Sequence, residues 1–293
     1  MQIDSIRIDL LETGSFGLDG GAMFGVVPKT LWTRAYSEAD DRNRIPMSAR
    51  ALLVRTPDRT ILVDSGNGDK FDEKFASIYK VDNSIDTLER SLAAHGLAPA
   101  DIDDVLITHL HFDHAGGLTR REANGELVPR FPNARYHVQR AQLEWARNPS
   151  VKDRASYLPE NYEPLAAAGL LDLIDGRHEF LPGIELLPVE GHTPALQMIK
   201  IGQGRHSALF CSDLCPTHGH VRIPFVMGYD NEPLKSIAAK EEHWPQAYEE
   251  EWAVIFQHDA FHEAARLHSG SRGFELGDFL LVNDQNAAGN QSE

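Results

Sequence analysis

Residues 108–117 have the sequence THLHFDHAGG, and this stretch constrains the chain more than any other. Three histidines and one aspartate fall within six positions, at His109, His111, Asp113 and His114. Imidazole nitrogens and carboxylate oxygens are the ligands that zinc and similar divalent metals take in proteins. We expect His109 and His111 to point toward one position, and Asp113 and His114 toward a second. The spacing therefore predicts a metal-binding loop rather than a solvated loop in which histidines occur by chance.

The residues on either side of this loop support that prediction. The stretch DIDDVLIT, at residues 101–108, is typical of a buried strand that delivers the chain to the loop. Gly116 and Gly117 follow the loop, and glycine permits both a sharp bend and a close approach of the backbone to its neighbours. We therefore place the loop at a strand end.

One loop cannot complete two metal sites, so further ligands are expected elsewhere in the chain. Three ligand-type side chains stand at the ends of predicted strands: His192 follows IELLPVEG, Asp213 ends ALFCSD and His258 ends WAVIFQH. Each of them alone would be interpreted as a turn or capping residue. Together, and in this order after the first motif, they indicate one constellation of ligands.

Strands and helices alternate through most of the chain. Residues 83–96 are predicted to form a helix, with Ser84 as its N-cap and with Ile85, Leu88 and Leu92 in its apolar stripe. A second helix is predicted at 141–148, and strands are predicted at 49–56, 59–66, 134–139, 183–190, 196–202, 206–213 and 252–259. This order predicts two packed sheets covered by helices, in a single domain over residues 1–293 with a disordered tail at 285–293.

Charge and cysteine content exclude several classes of protein. The formal net charge of −16 opposes binding to a phosphate backbone, so nucleic-acid substrates are not expected. No apolar run is long enough to span a bilayer, so no membrane partner is expected. Cys211 and Cys215 are the only cysteines, which excludes a disulfide framework and favours a cytoplasmic protein. Both are interpreted as small buried side chains in preference to thiolate ligands.

The ordered set of candidate ligands resembles that of the metallo-β-lactamase superfamily. The motif ILVDSG, at residues 61–66, also matches an earlier strand-end motif of that superfamily. The resemblance implies an α/β fold of the αββα type, in which two packed mixed sheets are flanked by helices. It also implies two divalent metal ions per chain, expected to be zinc.

The same resemblance assigns a role to each candidate ligand. His109, His111 and His192 would hold one metal, and Asp113, His114 and His258 would hold the other. Asp213 would bridge the two metals, and Asp64 would support the ligands from behind. Asp113 is also a candidate catalytic residue, since its carboxylate can orient a nucleophile or move a proton.

A narrower resemblance indicates the reaction. The stretches LDGGAMFGVVPKTLW, at residues 18–32, and DLCPTHGH, at residues 213–220, are similar to those of YtnP-type quorum-quenching lactonases. More loosely, they resemble relatives of methyl parathion hydrolase. The resemblance implies that a metal-bound hydroxide opens a lactone ring, with an N-acyl-homoserine lactone as the expected substrate. A phosphotriester or carboxylic ester hydrolase is the alternative.

Candidate substrate-binding residues come from the same two stretches. Met23, Phe24 and Trp32 are candidates to line a pocket for an acyl chain, although a packed loop or a contact in a homodimer would explain them equally well.

Well-studied acyl-homoserine lactonases of the superfamily place a tyrosine shortly after the bridging aspartate, and this chain has none there. The electrophilic role near the substrate carbonyl is then vacant, or it passes to His218, to His220 or to a metal.

Two other classes of the superfamily fit less well. A nucleic-acid-processing enzyme is disfavoured by the charge. The diiron redox relatives place Glu where His111 stands, and this chain shows no partner flavin domain. A small-molecule hydrolase without an organic cofactor is therefore expected.

Overall fold

The computed structural model describes residues 1–271 and 273–283, so the expected disordered tail at 285–293 lies outside the described residues. The strands run over Gln2–Ile3 (β1), Ile6–Asp19 (β2), Arg44–Arg55 (β3), Thr60–Val63 (β4), Asp104–Leu106 (β5), Thr119–Arg121 (β6), Leu127–Pro129 (β7), Arg135–Gln139 (β8), Leu171–Ile174 (β9), His178–Leu181 (β10), Ile184–Val189 (β11), Leu196–Ile201 (β12), Ala208–Phe210 (β13), Ala253–Ile255 (β14), Ala264–Gly270 (β15) and Gly273–Leu280 (β16). The α-helices run over Gly20–Phe24 (α1), Lys29–Ala35 (α2), Glu73–Tyr79 (α3), Leu88–Ala94 (α4), Phe112–Ala115 (α5), Arg140–Arg147 (α6), Glu163–Ala167 (α7) and Pro233–Glu249 (α8).

Two seven-stranded mixed sheets dominate the described part of the chain. The first has the order β1-β2-β3-β4-β5-β8-β9, and its strands pair in parallel from β4 onward. The second has the order β10-β11-β12-β13-β14-β15-β16, in which β13 and β14 form a parallel pair among antiparallel neighbours. A hairpin of β6 and β7 stands apart from both sheets.

Alternation along the strands divides the core into layers. In β3, Leu52 and Val54 face the second sheet, whereas Leu53 lies in the cluster that covers the outer face of the first sheet. That outer cluster includes Leu92 of α4 and Leu143 of α6. On the second sheet, Trp244 of α8 belongs to the corresponding outer cluster. Because strand side chains alternate between faces, each sheet is apolar on both sides, and the predicted αββα arrangement is confirmed.

The topology brings five strand ends to one edge of the sandwich. In the first sheet, β4 and β5 are parallel, so their carboxyl ends lie side by side. In the second sheet, β13 is parallel to β14 and antiparallel to β12, which is itself antiparallel to β11. The carboxyl ends of β11, β13 and β14 therefore point the same way, and ligand-type residues follow each of them.

The predicted helix at 83–96 is shorter than its apolar pattern indicated. Helix α4 begins at Leu88, and its N-cap is Thr87, whose hydroxyl accepts a hydrogen bond from the amide of Arg90. Ser84 is not the cap, because the extended backbone of Thr87 (φ −137°) separates it from the helix, which begins only at Leu88. Ile85 is 77% exposed and lies outside the apolar stripe, so that part of the prediction was wrong.

Two features of the fold had no clear signal in the sequence. The hairpin of β15 and β16 forms one edge of the second sheet and was not predicted. The glycine-rich stretch after β2 forms the short helices α1 and α2 rather than an irregular loop. Within residues 1–271 and 273–283, the structure contains no helix with the length and apolarity needed to cross a membrane.

Candidate metal centre

Two groups of buried ligand-type side chains lie at the common edge of the sheets. The first consists of His109, His111, His192 and Asp213, and the second of Asp113, His114 and His258. Within each group, one potential ligand atom of every residue lies within 4.8 Å of the others. The structure thus brings together all seven side chains that the sequence singled out as ligands.

In the first group, three imidazole nitrogens converge. His111 Nδ1 lies 3.1 Å from His109 Nε2 and 3.1 Å from His192 Nε2. Asp213 Oδ2 completes the group, at 3.1 Å from His192 Nε2 and 3.9 Å from His109 Nε2. Three nitrogens and one carboxylate oxygen around a common point match the number and type of ligands that a tetrahedral zinc site takes.

The second group is smaller. The Nε2 atoms of His114 and His258 lie 3.1 Å apart, and Asp113 Oδ2 lies 3.7 Å from each of them. Helix α5 begins at Phe112 and carries Asp113 and His114, whereas His109 and His111 precede it. One short stretch of the chain therefore serves both groups.

Asp213 lies between the two groups. Its Oδ2 faces His192, while its Oδ1 lies 3.1 Å from His258 Nε2 and 3.5 Å from His114 Nε2. The histidines lower the pKa of this carboxyl well below its usual range, against the opposing effect of burial. A carboxylate in this position can bind one cation with each oxygen.

Hydrogen bonds on the far side of the rings fix which nitrogen carries the proton. His114 Nδ1 donates to Asp64 at 2.9 Å, and His192 Nδ1 donates to Asp230 at 3.0 Å. His258 Nδ1 donates to the carbonyl oxygen of Ser48 at 3.0 Å. In the neutral form of each ring, Nε2 therefore presents a lone pair to the site.

The Nε2 atoms of the second group lie close enough together to favour a cation between them. The Nε2 atoms of His114 and His258 lie 3.1 Å apart, and both face Asp213 Oδ1. Burial lowers the pKa of His114, but the neighbouring Asp113 and Asp213 carboxylates raise it well above its usual range, so positive charge is favoured at this position. Zinc–nitrogen bonds of about 2.0–2.1 Å at a near-tetrahedral angle would place two such nitrogens about 3.3 Å apart. Burial lowers the pKa values of His109 and His111, which keeps both rings neutral and able to coordinate. The residues present therefore fit a pair of divalent metals.

Asp64 connects several parts of this centre. It follows β4, and its carboxylate accepts hydrogen bonds from the amide and hydroxyl of Thr108, from Gln257 and from His114. Thr108 Oγ1 also lies 3.1 Å from His109 Nδ1. One buried carboxylate thus orients a ring of the second group directly and one of the first group through Thr108.

The two glycines after the ligand loop allow the close approach that the sequence predicted. A Cβ atom on Gly116 would lie 2.0 Å from the carbonyl oxygen of Asn67, and one on Gly117 would lie 2.4 Å from that of Ser65. Any larger residue would push the ligand loop away from the segment that follows β4 and carries Asp64.

A cavity of about 150 Å³ opens beside the two groups. Several ligand-type residues line it, including His111, Asp113 and Asp213. The largely apolar remainder of its lining includes Leu18, Met23, Tyr79, Phe112, Met227 and Tyr229. Lys152, Asp153 and Ser156 also border the cavity. The cavity thus combines a polar centre with room for an apolar group.

Of the three residues predicted to line an acyl pocket, Met23 borders this cavity, whereas Phe24 and Trp32 do not. Phe24 and Trp32 are fully buried behind it, with their rings stacked at a centroid distance of 5.6 Å. Trp32 also packs on Gly20, where a Cβ atom would lie 2.5 Å from the indole ring. In this structure both side chains contribute to packing, which is one of the two alternatives that the sequence left open.

His218 and His220 also do not line the cavity. His220 is buried, its ring stacks on Phe24 at 4.3 Å, and burial lowers its pKa to about 4. His218 Nδ1 donates to Asp259 at 2.5 Å, on the side of a separate surface depression. Neither histidine is placed to take over the role of the missing tyrosine.

Cys211 and Cys215 flank Asp213 in sequence but belong to neither group of ligand-type residues. Both are fully buried, and burial raises the pKa of the Cys215 thiol to about 12. They pack with α8 in the outer core of the second sheet, as the sequence interpretation expected.

Sequence reasoning missed several residues at this site. Asp230, which accepts the hydrogen bond from His192, lies in the segment before α8 and has no ligand-like spacing. Tyr79 and Tyr229 reach the cavity from segments far from the motif. Phe112 lies within the motif, and its position between two ligand residues was the one local signal that pointed to it.

Comparisons with known proteins agree with this geometry. The sequence profile of the metallo-beta-lactamase superfamily matches residues 44–263. An N-acyl homoserine lactonase from Bacillus cereus is 30% identical over 231 residues, which cover 74% of this chain and 83% of the relative.

Solved structures give the same picture of the fold. A probable metal-dependent hydrolase from Staphylococcus aureus superposes with a TM-score of 0.87 and 32% identity, over 96% of this chain and 98% of that one. AidC, a dizinc quorum-quenching lactonase in complex with a homoserine product, superposes with a TM-score of 0.79, over 97% of both chains. At 20% identity, this second likeness concerns the fold alone.

Proposed function

Because this chain belongs to the metallo-beta-lactamase superfamily and is a metal-dependent hydrolase, we propose that it opens a lactone ring, with an N-acyl-homoserine lactone as the substrate. The observation that carries the proposal is the cavity, which places an apolar wall directly beside the paired ligand groups. The 30% identity to an N-acyl homoserine lactonase supports the same substrate class.

The proposed metal ligands follow from the two groups. His109, His111 and His192 would hold one divalent ion, Asp113, His114 and His258 would hold the other, and Asp213 would be shared between them. Zinc is the proposed metal, because nitrogen-rich sites with one or two carboxylates suit it. A pair of such ions supplies an acidified water and a Lewis acid that polarises an ester carbonyl.

The side chains of this chain would orient the substrate and move the proton. Asp113 borders the cavity, and within the second group its Oδ2 lies 3.7 Å from both His114 Nε2 and His258 Nε2. We propose Asp113 as the catalytic residue that orients the attacking water and carries its proton toward the leaving ring oxygen.

The apolar wall suits an acyl chain better than a small polar ester. Met23 and Met227 line it together with the packed rings of Tyr79 and Phe112, whose centroids lie 4.9 Å apart. Flexible methionines and aromatic rings bury apolar ligands without demanding a single shape. A linear acyl chain on a neutral lactone also needs no basic entrance, which agrees with the net charge of −16.

A substrate panel tests the reaction. Proton release on ring opening is followed in weak buffer for homoserine lactones of increasing acyl length, beside aryl ester and phosphotriester controls. We expect the lactones to be the preferred substrates. Efficient turnover of phosphotriesters or aryl esters, with no activity on any lactone, would replace lactone opening with the corresponding alternative.

Elemental analysis tests the metal content separately. Protein purified without chelator is expected to contain two metal ions per chain, and removal of both should abolish hydrolysis. Full activity with a single ion, or with none, would contradict the dinuclear site whatever the substrate proves to be.

A further inference from the structure

The turn that follows α6 holds a distant loop in place beside His192. This loop is residues 229–232, which directly precede helix α8. Lys152 Nζ donates to the carbonyl oxygens of Tyr229 and Asp230, at 2.6 Å and 2.7 Å, and lies 3.5 Å from Asn231 Oδ1.

Asp153 makes the second half of this contact. Its buried carboxylate accepts hydrogen bonds from Asn231 Nδ2 at 2.6 Å and from Trp145 Nε1 at 2.8 Å. Ser150 Oγ donates to the other oxygen at 2.7 Å, so the carboxylate is fixed from three directions. Two adjacent residues of one turn therefore hold three consecutive residues of another segment.

The held loop is the one that orients His192. The Asp230 carboxylate accepts the hydrogen bond from His192 Nδ1, and the amide of Asn231 donates to the carbonyl oxygen of His192 at 3.1 Å. Any shift of this loop would move the far-side partner of the ring, and with it the direction in which Nε2 points.

We propose that Lys152 and Asp153 are positioning residues for His192, acting through Asp230, and that they set the metal affinity of the position formed by His109, His111 and His192. The proposal rests on the metal sites proposed above, and not on the identity of the substrate. The other metal position has its own far-side partners, Asp64 and Ser48, so it should not depend on this turn.

A metal titration tests this without any substrate. Metal-free protein is titrated with zinc in competition with a chelating indicator, for the wild type and for Lys152→Met and Asp153→Asn. We expect one of the two equivalents to bind about 10–100-fold more weakly in each variant, because losses of this size are typical when partners behind a ligating histidine are removed. The other equivalent should bind as in the wild type.

Two matched controls and one rescue separate positioning from general destabilisation. Asp104→Asn removes a buried carboxylate that accepts from Arg59 and His137 at the start of β5, far from the ligands. Lys200→Met removes a buried ammonium that donates to the carbonyl oxygen of Gly202. Both controls should keep both metal affinities, and Lys152→Arg should restore the weakened equivalent.

Two results of the titration would contradict the proposed positioning role. Normal affinity for both equivalents in folded Lys152→Met and Asp153→Asn would overturn the proposal. Equal weakening of both equivalents, in parallel with lost thermal stability, would show a purely structural role and overturn it as well. If Asp153→Asn does not fold by circular dichroism, the comparison of Lys152→Met with Lys152→Arg decides. A failure of lactone hydrolysis leaves this titration unaffected.

Discussion

The Asp64 carboxylate lies 2.9 Å from His114 Nδ1, and neither side chain has any exposed surface. Asp64 sits at a positive φ of 58°, directly after β4, so the backbone itself turns the carboxylate toward the ligand loop. This carboxylate also accepts hydrogen bonds from Thr108 and Gln257. Its loss should therefore affect the metal centre, although Asp64 does not line the cavity.

The first prediction is therefore that Asp64→Asn weakens metal binding at the position of His114 and His258. An asparagine tolerates the positive φ, but its amide nitrogen replaces a carboxylate oxygen that accepts hydrogen bonds. A donor then faces the four donors that surround this position. Metal affinity should fall about 10–100-fold there, and the stability should fall by about 1–3 kcal/mol for the unsatisfied buried groups. Competition titration and chemical denaturation measure the two effects. Unchanged metal affinity would show that Asp64 serves only folding.

The second prediction separates Asp213 from His258. Since each oxygen of Asp213 faces a different group, Asp213→Ala should lower occupancy at both metal positions and nearly abolish turnover. His258→Ala should empty mainly one position and leave the other close to one ion per chain. Metal content measured beside circular dichroism distinguishes these results. Normal metal content in both variants would mean that the two residues are ordinary strand-end residues.

The third prediction concerns the acyl chain. Met23→Gln keeps the approximate size of the side chain but makes the cavity wall polar, so KM should rise more for long-chain lactones than for short ones. Each buried methylene contributes about 0.8 kcal/mol of transfer free energy, which makes the dependence on chain length measurable. Phe24→Leu is the control, since Phe24 lies behind the wall and should change all chain lengths alike. The same shift for every chain length in Met23→Gln would remove Met23 from the acyl site.

The fourth prediction follows from the buried position of Trp32. Its buried indole stacks on Phe24 and packs against Gly20, so Trp32→Ala should cost about 3–5 kcal/mol of unfolding free energy. Thermal and chemical denaturation provide the measurement. A small stability loss accompanied by a large, chain-length-dependent rise in KM would instead return Trp32 to the substrate site.

Much of the metal centre could be predicted from the sequence because its signals are local. His109, His111, Asp113 and His114 lie within one loop, and a strand end followed by such a loop has few geometric solutions. His192, Asp213 and His258 each follow an apolar strand, and strands that point the same way in one sheet end at the same edge. The layered fold was predictable for a similar reason, since β3 and its neighbours alternate in a regular way.

The remaining features depended on contacts between segments that are far apart in sequence. Ile85 continued the apolar pattern of α4 perfectly well, yet the extended backbone at Thr87 left it in solvent. Phe24 and Trp32 looked like a ligand-binding loop because apolar side chains serve a core and a pocket equally, and only packing decided between them.

The sequence by itself determined which side chains can bind metal and at which strand ends they stand, because residue type and short spacing are properties of the chain. The tertiary structure alone decided how each ligand is aimed. Asp213 divides its oxygens between two groups, and Asp230 fixes His192, through contacts whose partners are separated by tens of residues or more. No local pattern encodes such pairs, since their geometry exists only once the two sheets have packed and their loops have met.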